Sequence, residues 1–425
     1  MNFNKLFMGF ALLLIIGSCG APDQTTSSPS NQPAVVDDAA ASKIDSTLNA
    51  LVEAGDIAGV SALIYEKGQE VYFNAFGYAD RENQIPMDRN TIVKIYSMTK
   101  PVTGVALMTL WEQEAFDLDD PVSEYISEFE DMQVYTGVDE SGKVTVEPAK
   151  RPITVRDLTR HTAGFLNNND VPGLSELLQQ ADTRSPENTL TQMAQNLASV
   201  PLWFHPGEQW EYGLCVDVQA LLVERLSGQP FDQYLRQHVL DPLKMTETRY
   251  YVPEQDRSRF AATYRRSEDG QLDRIPDEEA HAFNFNHWPL KPGGFGLTAT
   301  IDDYMRFARM LVNKGTLEHT TILQPETVEL MATNHLSDSV TQRSWLPGKG
   351  QVGFGIDFAV RLRPPAPDEK YGVVGEFFWD GAASTLFWVD PVNQLTAVLF
   401  VQLFPFDQVG LHKGFREAVY SSIKN

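Results

Sequence analysis

The apolar positions of this chain change period along its length, and the changes mark out its elements. From Ser42 onward Ile44, Leu48 and Leu51 recur at helical spacing, and the runs GVSALIYE and EVYFNAFGYA follow around the turn-like KGQ. A helix repeats its buried face every three to four residues and a strand every two, so this stretch predicts an amphipathic helix and then a hairpin. The far end mirrors it: STLFWVDP and QLTAVLFVQL flank DPVN, and Leu411, Phe415 and Val419 share one face of a last helix. Between the two ends the period is helical in MTKPVTGVALMTLWEQ, LTQMAQNLASV, GLCVDVQALLVERLSG, FDQYLRQHVL and IDDYMRFARMLVNKG, the last opening on a capping box from Thr300 to Asp303. The pattern predicts a mixed α/β (α+β) architecture, in which an antiparallel sheet from both chain ends is flanked by helices and a helical lobe is inserted between them.

Ahead of the first helix the pattern is of another kind. Residues 1–18 carry one base at Lys5 and an apolar run from Leu6 to Ile16, too short to span a bilayer comfortably and ending in small residues, as a secretory signal does. The stretch Ile16-Gly17-Ser18-Cys19 resembles a bacterial lipobox, which implies cleavage before Cys19, lipidation of its thiol and export to a membrane, with Gly20 favouring the outer membrane by analogy. Residues 19–41 are rich in Ser, Thr, Pro, Gln and Ala and are expected to form a flexible tether, leaving 42–425 as the folded domain.

Composition narrows the function classes. A chain of 425 residues, 42% of them hydrophobic, can bury a large core. The formal charge of −23, from 57 acids against 34 bases, argues against nucleic acid as a partner, because binding phosphates needs a basic face. Cys19 and Cys215 are the only cysteines, so a lipidated Cys19 leaves no disulfide within the chain, and Cys215 reads as a small core residue of an apolar helix. The histidines show no metal-ligand spacing; no metal and no other cofactor is expected.

Chemistry is suggested first by KIYSMTKPVTG, residues 94–104. Ser97 and Lys100 stand three apart, on one face of a helix, so an amine lies beside a hydroxyl. Chance alone supplies on the order of one or two such pairs in a chain of this size, and a second exists in Ser421 with Lys424. Context separates them. Pro101 suits a helix start and the residues after it are apolar nearly all round, which puts Ser97 at the dipole-positive end of a buried helix, whereas Ser421 falls in the last turn of a terminal one.

Further stretches follow in order: LTRHTAGF, HPGEQWEYGLCVDVQALLVERLSG, KPGGFGLTATIDDYMRFARMLVNKG and FFWDGAASTLFWVDP. With the S-x-x-K pair they resemble the serine β-lactamase and penicillin-binding-protein superfamily, and within it the class C-like branch that includes family VIII carboxylesterases, over nearly the whole domain. The resemblance implies a β-lactamase/transpeptidase-like fold with Ser97 as acylated nucleophile, Lys100 as its base and Tyr212 as the second proton carrier. It implies that WDGA stands where the family has K-T-G, placing Trp379, Asp380 and Gly381 against substrate and the N–H groups of Ser97 and Ala382 as oxyanion hole. Two positions depart from the pattern: Leu214 replaces the Asn of Y-x-N and Trp379 the Lys of K-T-G, so the resemblance implies that both present apolar surface to the substrate in the pocket.

Those losses point away from β-lactams and toward neutral esters cleaved through an acyl-enzyme. The alternatives are a β-lactamase or D-amino-acid peptidase or amidase of the same fold, and, in a different class, a non-hydrolytic binder or sensor. His161 and Gly164 read as a turn-and-cap element, Gly293 and Gly294 as a tight passage bordering the pocket, and HAFNFNHWPL as either cleft lining or ordinary packing.

Overall fold

The computed structural model describes residues 34–167, 169–366 and 371–423. The expected signal, Cys19 and Lys424 lie outside them. An eight-stranded sheet runs in the order Val352–Phe354, Ala359–Arg361, Phe377–Asp380, Leu386–Asp390, Leu395–Phe400, Gly59–Glu66, Gln69–Asp80, Ile85–Pro86, antiparallel throughout. The two chain ends meet at its centre, where Ser61 pairs with Phe400 and Glu66 with Leu395. From Val352–Phe354 to Gly59–Glu66 the strands are buried at nearly every position because both faces of the sheet are covered there, whereas Gln69–Asp80 and Ile85–Pro86 are mostly half-buried or exposed. Along Leu386–Asp390 the period of two sends Phe387 to Tyr304 of the helix Ile301–Val312, with ring centroids 5.1 Å apart. The next residue, Trp388, goes to Phe415 of the terminal helix Leu411–Val419, at 5.4 Å.

The domain begins earlier than the composition implied. The first helix is Asp38–Glu53, capped by the Asp37 carboxylate, which accepts from the Ala40 N–H. Val35 and Val36 ahead of it are buried, and their N–H groups donate to Glu66 at 3.0–3.2 Å. Residues 35–41 therefore belong to the folded domain and not to a tether; two apolar side chains and a carboxylate partner outweigh the polar composition around them. At the other cap, Thr300 accepts from the Asp303 N–H, but the Asp303 carboxylate turns away to the Glu247 N–H (2.8 Å) and the Thr248 hydroxyl (3.0 Å). The reciprocal half of the capping box is not made, because a tertiary partner takes the side chain.

In the inserted lobe the helix Thr99–Trp111 is buried from Thr99 to Leu110 and packs on Cys215–Ser227, whose Cys215 is buried. FDQYLRQHVL forms an α-helical turn, Phe231–Leu235, continued by a π-helical one, Arg236–Leu240. A hairpin of Gln133–Val138 with Val144–Pro148 was not foreseen; its strands are too exposed for their alternation to stand out.

Candidate active site

Ser97 lies in the 3₁₀ turn Tyr96–Met98, just ahead of the α-helix Thr99–Trp111, and Lys100 lies in that helix's first turn. The residue before the hydroxyl, Tyr96, is held in the left-handed region at φ 47°, costly for a bulky side chain. Its surroundings enforce it: the Tyr96 ring stands edge-on to Phe404 at 5.6 Å, and the end of the strand Phe377–Asp380 presses on the same turn. A Cβ added at Gly381 would stand 2.2 Å from Thr385 Oγ1 and 2.6 Å from the Ile95 carbonyl, so only glycine lets the strand approach Ser97 this closely.

The Lys100 amine is fully enclosed. It donates to the Gly294 carbonyl (2.7 Å), reaches the Ser97 hydroxyl at 3.4 Å and lies 4.5 Å from the centroid of the Tyr212 ring. Gly294 is fixed in turn by its N–H donating to buried Asp217 (2.8 Å), and the neighbouring Gly293 passes so close to Val216 that a Cβ would meet its carbonyl at 2.2 Å. The two glycines are thus a tight passage, and its product is a carbonyl aimed at the amine. Burial pushes the Lys100 pKa down to about 8, with the Asp217 charge opposing. A fraction of the amine is therefore neutral near pH 7, as a general base requires.

Tyr212 meets the same hydroxyl from the other side. Its phenol interacts with the Ser97 side chain and accepts from Trp379 Nε1 at 3.0 Å, and its backbone carbonyl accepts from Asn167 Nδ2 at 2.8 Å. Burial holds its pKa well above the usual phenol value, with the bonds to Ser97 and Trp379 opposing, so the resting group is a protonated phenol. Beneath it the His161 ring packs at a tilt, its centroid 4.7 Å away; His161 is buried, is kept neutral by that burial and has φ 57°. His161 supports the Tyr212 ring in a tight turn. Gly164 marks a close approach rather than a helix end, since a Cβ there would meet the Phe204 carbonyl at 2.3 Å.

Ser97 and Tyr212 open into a cleft of about 610 Å³, walled by Trp345, Trp379, Phe404 and Phe406, with Ala382 at its edge. Of the expected pocket residues, Trp379 and Asp380 line this cleft and Gly381 packs behind it. Leu214 is buried in the core at the start of the helix Cys215–Ser227 and does not line it. The expectation of a contact from Leu214 to substrate is corrected: the helix start turns this position inward, where an apolar side chain is held by the core. HAFNFNHWPL is packing, with Asn284 donating to the Tyr250 and Gly296 carbonyls.

Sequence reasoning missed Lys349, Trp345 and the segment Phe404–Phe406, which line the cleft from two loops. Lys349 is paired with Asp380, the second residue of WDGA. Among the described residues no cluster of His, Cys, Asp and Glu is arranged to hold a metal ion.

The model of the Beta-lactamase family matches residues 44–419. Protein Rv1367c of Mycobacterium tuberculosis is 31% identical over 84% of this chain and 89% of its own. Esterase EstB of Burkholderia gladioli is 27% identical over 90% of this chain and 95% of its own. Among solved structures, EstCE1, a hydrolase with promiscuous acyltransferase activity, matches with a TM-score of 0.74 at 27% identity, over 90% of this chain and 98% of its own.

Proposed function

Because the chain belongs to the Beta-lactamase family and is an enzyme of the serine hydrolase type, we propose that it is a carboxylesterase acting on neutral esters through an acyl-enzyme on Ser97. The observation that carries the reading is an enclosed amine 3.4 Å from a serine hydroxyl at the floor of a cleft walled by aromatic side chains. The names of EstB and EstCE1 support the same reaction class.

In this reading neutral Lys100 takes the Ser97 proton as Oγ attacks the ester carbonyl, and the N–H groups of Ser97 and Ala382 receive the oxyanion. The Tyr212 phenol, protonated at rest, gives its proton to the departing alkoxide and is replenished from Lys100. Water then enters with the roles reversed and releases the acid. Two groups divide the work because their surroundings push them apart: the amine is lowered into the working pH range and the phenol is raised out of it.

The pH profile tests the assignment of the base. Protonated Lys100 cannot accept a proton, so kcat/KM for a neutral ester should rise with pH through one ionisation near the Lys100 value of about 8 and level off above it. A flat profile from about pH 6 to 9 would remove Lys100 from the base role.

Substrate class is tested with purified enzyme on para-nitrophenyl butyrate and a cephalosporin, alongside intact-mass analysis and peptide mapping after a fluorophosphonate probe. Ser97 should carry the only adduct, and the ester should be preferred by more than about tenfold in kcat/KM. Equal rates would promote the lactamase reading, and no adduct at all would promote the binder.

We further propose that Cys19 anchors the protein by lipid. A Cys19→Ala variant expressed in the native host should move from the membrane to the soluble exported fraction, and unchanged detergent partitioning would exclude the anchor.

A further inference from the structure

Among the described residues lining the cleft, Lys349 and Asp380 alone carry charge, and they are paired with each other. Both side chains are nearly enclosed, at 13% and 10% exposure. Lys349 ends the 3₁₀ turn Leu346–Lys349, which buried Leu346 pins to the core. Asp380 ends the strand that runs past Ser97. The Lys349 amine also sits among three rings of the cleft wall, 4.2 Å from the centroid of Phe406, 5.4 Å from Trp345 and 5.7 Å from Trp379. An aromatic box with a carboxylate at one corner is a site for a cation, and here the chain fills it with its own.

We infer that the Lys349–Asp380 pair sets the charge selectivity of the cleft by holding its wall neutral. This deepens the esterase reading and rests on it. With both halves in place, a substrate limb of either charge would have to lose its water against a wall with no free counter-charge, which is costly, while an uncharged limb meets only rings and a closed ion pair. The preferred substrates are therefore esters whose limb against this wall is uncharged. Removing Lys349 would leave Asp380 inside the aromatic box, a site for an ammonium group. Removing the Asp380 charge would leave Lys349 unpaired beside the rings, a site for a carboxylate.

The test compares three para-nitrophenyl esters of similar acyl length: the hexanoate, the adipate half-ester and the trimethylammonio-hexanoate. Each is assayed at mildly alkaline pH with the natural enzyme, Lys349→Met, Asp380→Asn and the double variant. Lys349→Met should raise the ratio of kcat/KM for the cationic ester to that for the neutral one by about tenfold, about 1.4 kcal/mol, and Asp380→Asn should do the same for the anionic ester. The double variant should bring both ratios back to within a few-fold of the natural enzyme. Ratios compare substrates on the same protein, so a variant that merely folds less well lowers all three rates together. Unchanged ratios in the single variants, or a skew that persists in the double variant, would overturn the inference. Failure of every ester in the natural enzyme would instead overturn the esterase reading.

Discussion

Ser97→Ala should abolish turnover of an aryl ester, by at least about 10⁴-fold, and leave the thermal midpoint within about 2 °C of the natural protein. The rate effect follows from the missing atom: without Oγ no acyl-enzyme can form, and Lys100 and Tyr212 have nothing to exchange a proton with. The small stability effect follows from the packing. Ser97 is only partly buried, at the floor of an open cleft, and its hydroxyl contacts Lys100 and Tyr212, each of which keeps another partner: Gly294 for the amine and Trp379 for the phenol. Ser421 offers no substitute. It lies just past the end of the helix Leu411–Val419, where its hydroxyl donates to the Ala418 carbonyl at 2.7 Å. The experiment reads initial rates and a melting curve on the same preparation. Residual turnover within about tenfold of the natural enzyme would move the nucleophile elsewhere.

Tyr212→Phe should lower kcat by roughly 10²-fold or more, the usual weight of a positioned general acid–base group. The substitution removes one oxygen and keeps the ring, so the tilted ring contact with His161 and the cation–π contact with Lys100 survive. What disappears is the proton donor to the leaving group, together with an acceptor for Trp379 Nε1, which is left unpaired. The loss should shrink for leaving groups of low pKa, which depart without a proton. An activated aryl ester should suffer less than a simple alkyl ester, and a burst of phenol should fade as acylation slows. Equal losses for both esters would return Tyr212 to a structural role.

Much of this architecture could be read from local pattern. Short runs rich in β-branched and aromatic residues at both ends of the chain and period-3.6 runs between them pointed to a sheet built from the termini, because strand and helix patterns are properties of consecutive residues. The pairing of Ser97 with Lys100 was legible for a related reason, whereas Tyr212 was indicated only by the family resemblance. S-x-x-K is a spacing within one helical turn, and the all-apolar helix after it could only be buried, so the chemistry inherited its environment from its neighbours.

The charge of the cleft was settled by tertiary structure alone. From the sequence, Trp379 and Leu214 together promised an apolar wall; the fold keeps Trp379 there, withdraws Leu214 into the core and brings in Lys349 from a turn 31 residues before Asp380. No local period reports such a meeting, since the turn carries no repeating face and the pairing depends on where the turn Leu346–Lys349 meets the end of the strand Phe377–Asp380. The same limit explains Val35 and Val36, whose N–H groups find their acceptor in the distant Glu66, and Asp303, whose carboxylate prefers Glu247 and Thr248 to its own helix cap. Nearest-neighbour periodicity determines which residues are buried within an element, whereas the partner of a buried polar group is decided only when distant segments are brought within hydrogen-bonding distance.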